Sequence, residues 1–329
     1  METLQYIGGI LSPEIIQTTI SGYTNALIRK METGKTLTDK GKLYTPSTIR
    51  TYKMFYDNLL NFEEKYQTKF ELNQINYKFG KEFQLFLIRQ NLTKNSISTI
   101  LSKFKAVMKL AFMDGLSYWN GSGLKTPTER TSRTYFTLSE LNRLRQTNLT
   151  DSEKRVLDTF VIQCFTGLRY STLRKFLKNP FSYIHETEGK LYLDIVADKT
   201  DEQSVVPIGE TVTSILSKYP SGKIKISTEW YYSRTMKTIT QKAGISQDIV
   251  VRRTIGGTMQ ETFESKYKKI SSHTARITFI TLLKQTDISD KKISAMTGQT
   301  ESQMNHYNRS EKFDMVKDLI GHGFFDVVI

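Results

Sequence analysis

A chain of 329 residues is long enough for roughly two domains, each able to bury its own core, which excludes a peptide hormone or a disulfide-stapled mini-protein. Its 47 Lys and Arg against 33 Asp and Glu give a formal net charge of +14, half of it within residues 1–130, so two basic lobes rather than a basic tail would face a polyanion. A single cysteine, Cys164, excludes an intramolecular disulfide and fits a reducing compartment, and the sequence shows neither a secretory start nor an apolar run of about 18 residues.

Helical spacing dominates the first third. Ser12-Pro13-Glu14 reads as a cap with proline in the first turn, and Ile16, Ile20, Tyr23 and Leu27 continue a stripe that ends near Gly34. Thr45-Pro46 opens a second helix in the same way, with Ile49, Tyr52, Phe55, Leu59 and Phe62 three or four apart. A third carries Phe79, Phe83, Phe86 and Leu87, and a fourth runs from Thr93 through Ile97, Leu101, Phe104 and Met108 to Gly115. The other face of that fourth helix carries Lys94, Lys103, Lys105 and Lys109, which would be a solvated face in isolation and a phosphate-facing one on a nucleic acid.

Residues 120–135 concentrate Gly, Pro, Ser and Thr without an apolar period and form the best linker. Beyond it Thr137 and Glu140 have capping-box spacing, and Val156, Leu157, Phe160, Val161 and Cys164 mark a helix ending at Gly167. The period then changes to two: Leu191, Leu193 and Ile195, then Val205, Val206 and Ile208, flank a polar turn and predict a hairpin. A second hairpin is expected about Gly256-Gly257, and helices over 230–243, 274–284, 291–296 and 301–307. The fold class expected is mainly α, with small β-hairpins.

No Gly-x-x-x-x-Gly-Lys-Ser/Thr, no Gly-x-Gly-x-x-Gly, no carboxylate cluster and no His/Cys cluster appears, so cations on side chains would have to handle any phosphate chemistry, without cofactor or metal. Candidates are Arg169, after the Gly167 break; Lys199, on the first hairpin's turn; His273 and Arg276, three apart at a helix start; and Tyr307, late in the chain.

The segment Thr166-Gly167-Leu168-Arg169-Tyr170-Ser171-Thr172-Leu173, the turn Asp198-Lys199-Thr200, the box Ser271-Ser272-His273-Thr274-Ala275-Arg276 and the late Tyr307 together resemble the tyrosine recombinase (phage integrase) family, in its order and approximate spacing. Tyr44-Thr45-Pro46-Ser47-Thr48-Ile49-Arg50-Thr51-Tyr52 resembles the start of that family's core-binding domain, especially in recombinases of Bacteroidetes mobile elements. The resemblance implies a two-lobe clamp on duplex DNA: a helical core-binding, SAM-like domain over 1–118, a linker over 119–135 and a catalytic domain with a C-terminal tail over 136–329. With only about a dozen residues before the first expected helix, the arm-type DNA-binding domain of the larger integrases is not expected.

The resemblance also implies roles. Tyr307 would attack a phosphodiester to leave a 3′-phosphotyrosyl link that a DNA hydroxyl can reverse, so no ATP or other cofactor is needed. Arg169 and Arg276 would grip non-bridging oxygens through planar donor forks, Lys199 would protonate the departing 5′ oxygen, and His273 would accept a proton or donate to phosphate. Gln299 stands where the family usually has histidine; it can donate a hydrogen bond but cannot shuttle a proton. Thr172 stands where an acid often supports the first arginine. Lys94, Lys103, Lys105, Lys109 and Arg50 are the residues expected on DNA.

The implied partners are double-stranded DNA and a homotetramer in the synaptic complex, with a monomer or dimer when free, an accessory DNA-bending protein as a compatible addition, and no membrane. The implied location is cytoplasmic, at a bacterial nucleoid or in a phage-encoded setting. A catalytically silent site-specific DNA-binding protein and a type IB topoisomerase-like enzyme are the competing readings. The chain ends Phe324-Phe325-Asp326-Val327-Val328-Ile329, an apolar tail that could pack on its own lobe or, as the resemblance implies, dock into a neighbouring protomer.

Overall fold

The structure is a computed structural model that describes residues 18–129, 133–198, 201–298, 316 and 319–328. Mainly helical with two small antiparallel sheets, it divides into two units, Met1–Thr131 with Arg252–Glu261, and Ser132–Val251 with Thr262–Ile329.

The first unit is built from α1 (Ile20–Glu32), α2 (Pro46–Tyr66), α3 (Tyr77–Arg89) and α4 (Lys94–Met113). Thr19, Thr45, Asn76 and Thr93 cap them, each side chain accepting a hydrogen bond from an N–H of the first turn. The first helix starts later than the stripe from Ile16 suggests, because Thr19 is extended, bridged to Glu71, and caps the chain itself. The Ser12-Pro13 signal lies outside the described residues.

Phenylalanines fill the core. The Phe62 ring meets those of Phe79, Phe83 and Phe86 edge-on at 5.2 to 5.4 Å. The segment expected to be a linker is partly core as well: Trp119 lies against Phe104 at 5.9 Å, and Leu124 is fully buried. The tip of a second-sheet hairpin completes this unit. Strands β4 (Asp248–Ile255) and β5 (Thr258–Ser265) join through Gly256 and Gly257, both at positive φ as the tight turn requires, and the Thr254 N–H donates to the Glu129 carboxylate at 2.9 Å.

The lysines of α4 do not share one face. Lys103 and Lys105, two residues apart, occupy opposite flanks, as 100° per residue demands. The Lys103 ammonium sits 4.9 Å from the Tyr52 ring centre, where partial burial lowers its pKa. Lys105 Nζ donates to the Leu124 carbonyl at 2.9 Å. Arg50 is exposed and Lys94 partly exposed, and the exposed Lys109 ammonium lies 3.5 Å from the Asp39 carboxylate.

The second unit contains α5 (Leu138–Gln146), α6 (Asp151–Thr166), α7 (Tyr170–Lys178), β1 (Ile184–Thr187), β2 (Lys190–Val196), β3 (Gln203–Ile208), α8 (Glu210–Ser217), α9 (Glu229–Lys242), α10 (Ser272–Leu283) and α11 (Asp290–Thr297). Capping boxes Thr137/Glu140 and Thr150/Glu153 start α5 and α6. From Thr159 onward every residue of α6 is buried, and it forms the spine against which α8, α9 and α10 pack. The predicted hairpin is β2–β3, with β1 added antiparallel on the outer edge of β2. All six residues of β3 are buried. The helix expected over 301–307 lies outside the described residues.

Of the two placements open to the tail, packing on its own unit is the one seen for Val316, Leu319, Phe324 and Phe325. Val316, Leu319, Phe324 and Phe325 are buried in its core, with the Phe324 ring 5.8 Å from Phe165 and 6.1 Å from Phe279. The Thr211 hydroxyl donates to the Val327 carbonyl. Among the described residues no helix is long and apolar enough to cross a membrane.

Candidate active site

The site is assembled where three chain reversals of the second unit meet. The first follows α6. Gly167 ends that helix in the left-handed region at φ +64°, and a Cβ there would lie 2.3 Å from the Phe279 ring, so the reversal needs glycine twice over. A buried side chain braces the next residues: Gln163 Nε2 donates to the Leu168 carbonyl at 2.8 Å, and its Oε1 accepts from the Tyr232 hydroxyl at 2.7 Å. Arg169 then becomes the N-cap residue of α7. Its Nη1 donates to Glu202 Oε2 at 2.7 Å, and the side chain keeps 37% of its surface exposed.

The second reversal is the start of α10. The Ser271 N–H donates to the Thr274 hydroxyl at 3.0 Å, and Ser272 is held to α9 from both ends, its N–H donating to Ser233 Oγ at 3.2 Å and its hydroxyl donating to Glu229. His273 is therefore presented outward on the first turn, and Arg276 inward.

Arg276 is 2% exposed. Its Nη1 donates to the Gly167 carbonyl and its Nη2 to the Thr297 carbonyl, both at 2.7 Å, so one guanidinium joins the end of α6 to the end of α11. Thr297 precedes Gly298, the left-handed cap of α11 and the third reversal. Two of the five donors of Arg276 are used this way.

These cations share one field. Burial, then repulsion from Arg169, lowers the Arg276 pKa to about 10 against an attraction to Glu202, so the group stays cationic at neutral pH. The His273 pKa is lowered by partial burial first and then by Arg133, Arg276 and Arg169, which leaves the imidazole neutral and able to accept a proton. Arg169 and Arg276 beside a neutral imidazole, with the charge of Arg133 adding to the field, are a donor set able to hold a phosphate-type anion.

Of the residues expected in the site, Arg169, His273 and Arg276 come together; Lys199, Gln299 and Tyr307 lie outside the described residues. Two members were not anticipated. Arg133 sits in the segment expected to be linker, where no pattern marks it. Glu202 supplies the acid on Arg169 that Thr172 cannot, and it comes from the β2–β3 turn rather than from α7.

Residues 28–120 match the model of the phage integrase SAM-like domain. A comparison with curated proteins finds no match. Among solved structures, the chain is similar to a lambda integrase tetramer bound to a Holliday junction, at TM-score 0.59 and 16% identity over 88% of this chain and 80% of that one. It is also similar to the XerH site-specific recombinase bound to its difH substrate, at TM-score 0.59 and 13% identity over 94% and 98% of the two chains. A third similarity is to the Tn1549 transposon integrase in complex with circular intermediate DNA, at TM-score 0.54 and 14% identity over 91% and 95%. The chain thus shares its fold with these integrases and this recombinase.

Proposed function

We propose that this chain is a site-specific DNA recombinase that cuts and rejoins duplex DNA through a 3′-phosphotyrosyl intermediate. The observation that carries the reading is the gathering of Arg169, Arg276 and His273 at one point, in a fold shared with DNA-bound recombinases. In the attack, Tyr307 Oη forms a bond to the scissile phosphorus and the bond to the 5′ oxygen breaks. His273 takes the phenolic proton, the Lys199 ammonium gives one to the departing 5′ oxygen, and the arginines stabilise charge on the non-bridging oxygens. Gln299 would add a neutral donor. The 5′ hydroxyl of another strand then reverses the same step, so bond energy is kept.

In this reading the first unit is the core-binding domain, touching phosphates through Arg50, Lys94 and Lys109, and the second is the catalytic domain. The relatives' Holliday-junction tetramer and substrate complexes support duplex DNA and a tetrameric synapse as partners. The place of action would be the DNA of a bacterial cell or phage.

The test is a covalent adduct. Incubated with nicked duplexes tiled across the DNA flanking its gene, the protein should form a species that survives denaturation and whose DNA-linked peptide contains Tyr307. Linkage at another tyrosine, or no linkage, overturns the assignment.

Neutral His273 sets a pH dependence. Because its pKa is lowered from the ordinary imidazole value of about 6.5, the ring is an acceptor throughout the neutral range and loses that capacity only as acid protonates it. Cleavage by free enzyme should hold its rate down to about pH 6.5 and fall below it. A ring-proton NMR titration of His273 with a midpoint above about 6.5 would contradict this.

A further inference from the structure

Arg169 is placed where an arginine is electrostatically costly. It caps the N-terminus of α7, the positive end of the helix dipole, and α7 itself is Tyr170-Ser171-Thr172-Leu173-Arg174-Lys175-Phe176-Leu177-Lys178, with three cations and no acid. Buried Arg276 adds a further positive charge nearby. A guanidinium in that field, on a side chain of four rotatable bonds, would be driven outward and spread over many rotamers unless an anion holds it.

The anion that holds it is Glu202, whose own position is fixed three times. Its backbone carbonyl accepts from the Ala197 N–H at 2.9 Å, closing the β2–β3 turn. The opposite shoulder of that turn is tied to α7 as well, since Lys175 Nζ donates to the Val196 carbonyl at 3.0 Å and pairs with Asp198 at 2.5 Å. On its far side Glu202 meets the cap of α11: a Cβ on Gly298 would lie 3.3 Å from the Glu202 Cβ. The contact to Arg169 uses one Nη1 only, which leaves the other edge of the fork for a ligand oxygen.

We infer that Glu202 is a positioning residue for strand transfer: its carboxylate, carried beside a turn whose opposite shoulder is tied to α7 through Lys175, holds the Arg169 guanidinium in the pose that receives the scissile phosphate. The inference rests on the recombinase reading above. In this reading Glu202 acts by presetting one rotamer of Arg169, so the phosphate meets an ordered donor instead of ordering it on arrival.

Single-turnover cleavage of the nicked duplexes tests this. Glu202→Ala should slow adduct formation roughly ten- to hundredfold, and Glu202→Gln, which keeps an acceptor oxygen at nearly the same reach but not the charge, should recover at most part of the loss. The same variants are then compared on duplexes in which the scissile phosphate is a methylphosphonate. That group is neutral and lacks one non-bridging oxygen, so the grip of Arg169 counts for less and the ratio of wild type to Glu202→Ala should shrink toward one. Three results overturn the inference while leaving the recombinase reading intact: Glu202→Ala cleaving phosphate DNA like wild type, the uncharged Glu202→Gln cleaving it like wild type, or Glu202→Ala slowing phosphate and methylphosphonate alike, as a general loss of structure would. Absence of any wild-type adduct overturns the recombinase reading and this inference with it.

Discussion

Arg276→Ala should abolish adduct formation, with a loss of about a thousandfold or more, and destabilise the second unit by about 2 kcal/mol. The activity loss follows from removing a charged donor fork beside Arg169. The stability change is a balance. Burial of the guanidinium is unfavourable, as the lowered pKa shows, and alanine relieves that cost; yet it leaves the Gly167 and Thr297 carbonyls without their donors, each worth about 1–3 kcal/mol in a buried setting. Arg276→Lys keeps a charge but has a single nitrogen to serve two carbonyls on different helices, so its stability should lie between alanine and wild type while cleavage stays low. Urea denaturation and single-turnover cleavage measured on the three proteins decide it. Wild-type cleavage by Arg276→Lys would reduce the guanidinium to a point charge and remove the case for a two-edged fork.

The legible parts of the fold are those that local chemistry dictates. Thr45 before Pro46, Thr93 before the stripe of α4, Thr137 with Glu140, and the paired glycines at 256 and 257 each satisfy backbone donors or dihedrals within a few residues, so the sequence alone locates them. What it does not locate depends on distant partners or weak periods. Strand β1 is four residues with its middle exposed, and it exists because β2 offers an edge. The eight residues of α8 include Thr211, Val212, Thr213 and Ile215, β-branched types that argue against helix until burial of Val212 and Ile215 decides otherwise. Helical angle, which residue type does not reveal, turns Lys103 onto the Tyr52 ring and away from the flank of Lys105.

The candidate site divides in the same way. Arg169, His273 and Arg276 are visible as short ordered motifs, and the helix-terminal glycine at 167 marks where the first is presented. Glu202 and Arg133 are not visible, since the pairing of Glu202 with Arg169 links residues 33 apart and arises only when the β2–β3 turn folds against α7. The partner of an ionic group is a tertiary property, and Thr172 on α7 gives no hint of where the compensating acid lies.

The tail shows the same limit and gives the second large effect. An apolar end announces that it must be buried but not on which surface, and the surface turns out to be its own unit. Gly209 decides the fit: its backbone is extended, with φ −97° and ψ −179°, so alanine there strains nothing locally, yet a Cβ would fall 1.2 Å from the Phe325 carbonyl oxygen. Gly209→Ala should therefore displace the segment 319–328 and uncover Leu319, Phe324 and Phe325. At about 1.5–3 kcal/mol for each large apolar side chain returned to water, relaxed by partial re-docking, the loss should be about 3–5 kcal/mol. Deleting residues 319–329 should cost the same, and combining deletion with Gly209→Ala should cost no more than the deletion alone, since both remove one contact. Chemical denaturation of the four proteins at low concentration reads this directly. A Gly209→Ala protein as stable as wild type, with its defect appearing only in self-association, would mean that the tail's binding surface lies on another protomer instead.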